Sequence, residues 1–306
     1  MIERFFRAIV KIGHSLTCEG WIGLAIPRQS TVILNPFMRL LLLFLLSAIT
    51  CFADEAKVGP PSGSLLVHGG GALTRETITE FIRLAGGNDA PFVIIPTAES
   101  SDDWGAQYID RSFLKHFGCR NVTVLHTRDR AVSDSPQFVE PLTKARGVWI
   151  DGGRQWRLAD AYLGTRVVVE LKALLARGGI IGGSSAGATI QGSTMVRGAP
   201  EGNHIMLAKG REEGFGFLKN TAIDQHVIAR GRLDDMLGVI VVQPHILGIG
   251  IDEGTAIVVT GDRAKVIGAS KIAVYDNAYR AGEDGKRYFL LSPGETLDLA
   301  TRRKTL

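Results

Sequence analysis

Cysteine is scarce in this chain. There are three in 306 residues, and Cys18 and Cys51 both fall within the first 53. Only Cys119 lies beyond them, which excludes a disulfide framework or a cysteine-ligated metal site in the body of the protein. No low-complexity tract or internal repeat is present. An excess of one charge sign is missing too. Five of the 35 Lys and Arg and two of the 31 Asp and Glu lie in residues 1–53, so the body is close to neutral and gives no support for nucleic-acid binding. The apolar run Leu40–Leu46 is too short for a comfortable membrane span.

That run belongs to a recognisable pattern. Met38 and Arg39 precede it, and small and polar residues follow to Ala53. This is the layout of a secretory signal peptide at about 38–53, cleaved after Ala53, with an N-terminal membrane anchor as the alternative. Residues 1–37 show no clear pattern, and the expectation is that translation starts at Met38. The domain reading is therefore 1–53 as extension plus signal, and 54–306 as a single catalytic domain that is secreted or periplasmic.

What is present is glycine, 37 residues of it, between short apolar runs. The segments 64–72 and 147–153 read as strands that run into glycine turns, 91–97 as a buried strand, and 121–127 and 178–184 as further strands. Helical spacing fills 74–87, with Thr74 as N-cap and Gly86 as stop, and also 102–118, 135–145 and most of 154–177. Alternating strands and helices predict an α/β fold, a mostly parallel sheet covered on both faces. Beyond 230 the pattern changes to strands joined by tight turns, which predicts C-terminal hairpin strands that extend or flank the sheet.

The stretch Gly178–Ala188, "GGIIGGSSAGA", carries the chemistry. Gly183-Ser184-Ser185-Ala186-Gly187 is a G-x-S-x-G frame between a strand and a helix start, the context of a nucleophile elbow centred on Ser185. The backbone N–H of Ala186 then faces a developing oxyanion. A phosphate loop is excluded by the missing G-K-[ST] lysine. A structural turn is the bland alternative.

A serine nucleophile needs a base. His116, His126, His204, His226 and His245 are available. His226 stands out in "AIDQHV", where burying Asp224, Gln225 and His226 together demands either an active site or a satisfied polar network. The turn His68-Gly69-Gly70-Gly71 together with G-x-S-x-G also fits an HGGG-type esterase. That fold places its histidine near the C-terminus, and here the last one is His245.

Taken together, "GGSSAGA", "IDQHVIARGRL", "FGFL" (215–218), "GIGIDEGTA" (248–256) and "WIDGGRQWRLADAYLGT" (149–165) resemble cyanophycinase and its relatives in the S51 serine peptidase family. The resemblance covers nearly all of 64–300 in the right order. It implies a flavodoxin-like sheet similar to class I glutamine amidotransferases. It also implies Ser185 as nucleophile, His226 as base and Glu201 as the orienting acid, with Asp224 as the alternative acid. Gly153 and Ala186 are expected at the oxyanion hole, and Gln155, Asp224, Gln225, Arg230 and Arg232 at the substrate. No metal or cofactor is implied, and a homodimer is.

Cyanophycinases cut a polymer with an aspartate backbone that bears arginine on each β-carboxyl. Two substrate-side positions depart from the family pattern. Arg154 stands where an acid is usual, and Asp235 where a third arginine is usual. Aspartyl dipeptidase activity, or a non-catalytic secreted binding protein on the same fold, are the other readings.

Overall fold

The structure is a computed structural model that describes residues 57–279, 281 and 285–305. The expected signal peptide and the rest of 1–53 lie outside the described residues. Among the described residues no helix is long and apolar enough to cross a membrane.

In chain order the elements begin with β1 (Ser64–His68), α1 (Arg75–Ala85), β2 (Pro91–Ile95), α2 (Ala106–Arg111), α3 (Phe113–His116) and β3 (Asn121–Val124). Then come α4 (Arg130–Ser133), α5 (Pro136–Lys144), β4 (Gly147–Ile150), α6 (Gln155–Tyr162), α7 (Arg166–Ala176), β5 (Ile180–Ser184) and α8 (Ala186–Thr189). The remainder is β6 (Gly192–Thr194), β7 (Leu218–Gln225), α9 (Asp235–Val242) and β8 (Leu247–Ile251), followed by β9 (Thr255–Thr260), β10 (Arg263–Gly268), β11 (Ile272–Tyr275), β12 (Phe289–Leu291), β13 (Thr296–Asp298) and β14 (Arg303–Thr305).

A nine-stranded sheet runs β14-β13-β10-β9-β1-β5-β4-β2-β3. The five strands from β1 to β3 in that order are parallel. Strands β9, β10, β13 and β14 add on antiparallel. The fold is α/β as expected, with a mixed sheet in which C-terminal hairpins extend the parallel core. A second sheet, β12-β11-β8-β7-β6, was not legible as a separate layer. Its strands β6, β7 and β8 are parallel and β11 and β12 antiparallel.

Alternation along each central strand divides the core. Leu65, Val67, Val93, Ile95, Val148 and Ile150 face α5, α6 and α7, and the same cluster takes in Ile223, Ile249 and Ile251 of the second sheet. Leu66, Phe92, Ile94 and Trp149 face α1 and α3. Trp149 sits edge-on against Phe81 and Phe113, with centroids 5.2 and 5.0 Å away. Such aromatic pairs contribute about 1 kcal/mol each beyond burial. The far side of the second sheet, Ala222, Ala273 and Tyr275, is covered by α9 through Met236, Val239 and Ile240.

Helix α1 is capped as its sequence dictates: the Thr74 side chain accepts from Thr77 N–H, and Gly86 closes the helix in the left-handed region. The expected single helix over 102–118 is two short ones. Ser112 is extended between them, and its hydroxyl caps the second by accepting from Lys115 N–H. A serine that can serve as an N-cap competes with helix continuation.

Candidate active site

Ser185 sits between β5 and α8 with φ 54° and ψ −110°, a conformation that non-glycine residues rarely adopt. Small neighbours make the turn feasible. A Cβ on Gly187 would lie 2.0 Å from the Ile150 carbonyl oxygen, and one on Gly183 would lie 2.2 Å from that of Gly187. The chain therefore turns tightly enough to lift the Ser185 hydroxyl above the strand ends. Ser184, one residue earlier, points elsewhere. Its Oγ is 3.1 Å from His68 Nδ1, which also accepts from Gly70 N–H at 3.2 Å.

His226 follows β7 with φ 57° and is almost fully buried. Its Nε2 is 2.9 Å from Ser185 Oγ, and its Nδ1 is 2.5 Å from Glu253 Oε1. With the proton on Nδ1 donated to Glu253, Nε2 is free to accept from the serine hydroxyl. The imidazole is clamped by the β1 turn. His226 N–H donates to Gly69 O, Gly254 N–H donates to Gly70 O, and a Cβ on Gly70 (φ 103°) would fall 2.1 Å from His226 Cε1. Nearby, Asp252 accepts from the amides of Ile228 and Ala229 and from Ser270 Oγ, so the loops after β7 and β8 are tied together.

The acid beside the histidine corrects the sequence expectation. Glu201 is exposed on the 198–212 loop, with no hydrogen bond to His226. Asp224 is fully buried, but both its oxygens are held by Arg197, through Nε at 2.7 Å and Nη2 at 2.8 Å. Glu253 meets His226 because β8 runs parallel beside β7 in the register Gln225↔Ile251. The two strands thus deliver the residues just past their ends to the same edge. The signal was present in "GIGIDEGTA", an apolar strand ending in two acids and a glycine, but only strand pairing shows that it abuts His226.

Other expected residues are distributed around the serine. Gly152 is the closer of the two glycines: a Cβ on it would lie 3.4 Å from Ser185 Cβ. Gly153 adopts φ 129° and packs against the Ala98 carbonyl. Ala186 opens α8, whose Ala188 and Thr189 amides donate back to Ser185 O at 3.0 Å. Gln155 is buried and donates to Val196 O at 2.7 Å. Gln225 Oε1 and Arg232 Nη1 are buried without a partner, and Arg230 lies at the surface with Nε 3.8 Å from Glu253 Oε1. His116, His204 and His245 are exposed, while His126 bonds Thr97 and Asp102. Among the described residues no group of three or more His, Cys, Asp or Glu is placed to hold a metal.

Burial pulls the His226 pKa below its ordinary value; the Glu253 hydrogen bond opposes that, and the charges of Arg230 and Arg232 reinforce it. If His226 is the base, the acid limb of kcat/KM lies below pH 6.5. Arg230→Gln is expected to move it up by about a few tenths of a pH unit, because a half-exposed cation is partly screened. An unmoved limb in a pH–rate profile defeats this.

Two further groups titrate unusually near the site. Burial, together with the positive field of His226, lowers His68 to about 4. Burial and the nearby Glu99 carboxylate raise Asp151, a hydrogen-bond partner of Tyr108, to about 7. A depressed histidine stabilises fully above pH 6.5 and loses that contribution as pH falls toward 4. A raised aspartic acid stabilises fully below pH 3.8 and loses its contribution as pH climbs through 7. Each effect amounts to roughly 3–4 kcal/mol and the two oppose each other between pH 4 and 6.5. Asp151→Asn is therefore expected to lose more stability than wild type on acidification from pH 7 to 4, and His68→Gln less. Urea midpoints at both pH values check this, and parallel profiles for all three proteins refute it.

Residues 65–267 match the family model of Peptidase family S51. The chain is 32% identical over 210 residues to "Cyanophycinase" of Synechococcus elongatus, covering 66% of this chain and 63% of that one. It is 31% identical over 216 residues to "Cyanophycinase" of Geminocystis herdmanii, covering 69% and 76%. The matched stretch thus spans just under two thirds of the length of the Synechococcus relative. The crystal structure of a peptidase from an acI-B1 Actinobacterium shares the fold, with a TM-score of 0.58 at 24% identity over 78% of this chain and 97% of the other.

Proposed function

Because the chain belongs to peptidase family S51, we propose that it is a serine peptidase that hydrolyses β-aspartyl peptides through an acyl-enzyme. One observation carries this reading: the unbroken relay Ser185 Oγ–His226 Nε2 at 2.9 Å and His226 Nδ1–Glu253 Oε1 at 2.5 Å. His226 takes the hydroxyl proton as Ser185 Oγ bonds to the peptide carbonyl carbon. The resulting oxyanion is met by N–H groups of Ala186 and the Gly152-Gly153 turn. As the C–N bond breaks, the imidazolium returns the proton to the leaving amine. Water then attacks the ester by the same route and frees Ser185. Glu253 keeps the imidazole in the working tautomer and stabilises its cation.

The cyanophycinase name borne by the relatives supports the aspartyl substrate class. The pattern at 38–53 supports export, which N-terminal sequencing of the native protein tests: a mature chain that retains Ile2–Phe37 overturns it. The activity is tested with a serine-directed fluorophosphonate, located by peptide mass spectrometry, beside a panel of cyanophycin, β-Asp and α-Asp dipeptides and simple esters. Labelling of Ser185 with turnover of aspartyl peptides is expected. Ester turnover alone would favour a general esterase, and an unlabelled Ser185 would favour a non-catalytic binding protein.

A further inference from the structure

The carboxylates on the His226 side of the site are already committed within the chain. Asp224 is held by Arg197 in a two-pronged contact, and Asp235 accepts from Arg197 Nη2 at 2.7 Å. Glu253 holds His226, Asp252 holds two backbone amides and Ser270, and Asp151 pairs with Tyr108. The buried atoms without a partner there include two cationic donors and one neutral acceptor, Gln225 Oε1. Arg232 Nη1 and Arg154 Nε are buried without a partner, and Arg230 is exposed.

Arg197 itself is 1% exposed, adopts φ 56°, and uses its remaining Nη1 to bond Asn203 O at 2.6 Å. Its segment is pinned against the elbow side of the molecule: Gln155 Nε2 donates to Val196 O and Arg154 Nη2 to Ala199 O. An internal guanidinium therefore holds both oxygens of Asp224, two residues before His226, inside the protein.

We propose that Arg197 sets specificity as a built-in occupant of the place beside Asp224, so that the protein reads the acidic part of an aspartyl peptide and does not read arginine. The inference rests on the peptidase reading above and narrows its substrate class to aspartyl peptides whose partner residue carries no guanidinium. A guanidinium entering the site would meet Arg230, Arg232 and Arg197 and, among the described residues, no uncommitted buried carboxylate, only the neutral Gln225 Oε1, whereas a carboxylate would meet the unpaired N–H groups of Arg232 and Arg154. Arg197 acts through Asp224, so it is a positioning residue for specificity.

The test compares kcat/KM for β-Asp-Leu and β-Asp-Arg in the full chain and in Arg197→Ala. Wild type is expected to handle β-Asp-Arg no better than β-Asp-Leu. Arg197→Ala is expected to raise the Arg/Leu ratio about tenfold or more, and low millimolar guanidinium is expected to reverse that gain by refilling the vacated place. The same guanidinium should raise the melting temperature of the variant and not of wild type. Should Arg197→Ala fail to fold, Arg197→Lys retains a cation without the fork and is expected to show a smaller gain in the same direction. A wild-type preference for β-Asp-Arg above tenfold, or a ratio unmoved in the folded variant, overturns the proposal and leaves the peptidase reading intact. Failure to hydrolyse any aspartyl peptide overturns the peptidase reading and this one with it.

Discussion

Ser185→Ala is expected to lower kcat on an aspartyl peptide by about four orders of magnitude or more, while Ser184→Ala loses less than about tenfold. Removing a serine nucleophile leaves only the contributions of binding and the oxyanion site. The two hydroxyls are adjacent in sequence but face different histidines. Ser185 Oγ addresses His226, and Ser184 Oγ addresses the buried, neutral His68. Loss of the Ser184 hydroxyl deprives His68 Nδ1 of one donor while Gly70 N–H remains, so the expected cost is mainly about 1 kcal/mol of stability. Steady-state kinetics on both variants decides the matter. Equal rates in the two, or the greater loss in Ser184→Ala, would exclude Ser185 as nucleophile.

The second large effect is expected at Glu253. Glu253→Gln should reduce kcat by about three to four orders of magnitude with little change in KM, because an amide can present its NH2 to Nδ1 and favour the wrong tautomer. Glu201→Gln should leave kcat within about twofold, as an exposed side chain remote from the relay would. Asp224→Asn is the informative third variant. It removes half of a buried ion pair and leaves Arg197 uncompensated, so lost stability should come before any specific loss of kcat. A Glu253→Gln enzyme with near-normal kcat would remove this residue from the mechanism.

The elbow was legible in sequence because its constraints are local: a strand, two glycines around a serine and a helix start occupy consecutive residues. The parallel strands were legible for a related reason, since runs such as Phe92–Ile95 are apolar on both faces and need cover on both. His226 could be singled out because three polar residues in a strand-like segment carry a desolvation cost. Its acid could not be identified the same way. Glu253 is 27 residues away in sequence and is delivered by the pairing of β7 with β8. Nothing in local spacing distinguishes it from Glu201. The second sheet was hidden likewise, since a strand's pattern shows that it is buried without showing which neighbour buries it. The role of Arg197 was invisible because an arginine at a non-helical, non-strand position normally reads as surface.

The way the chain interleaves its two sheets has a further consequence. The serine comes from the end of β5 in the nine-stranded sheet, the histidine and glutamate from the ends of β7 and β8 in the five-stranded one, and the glycine turn after β1 joins them. The chain then returns to the larger sheet with β9 and β10, so neither sheet is complete without residues drawn from both sides of the other in sequence. A newly made or partly unfolded chain thus has a serine with no base beside it. Under the proposed mechanism, hydrolytic competence therefore waits on the docking of the two layers.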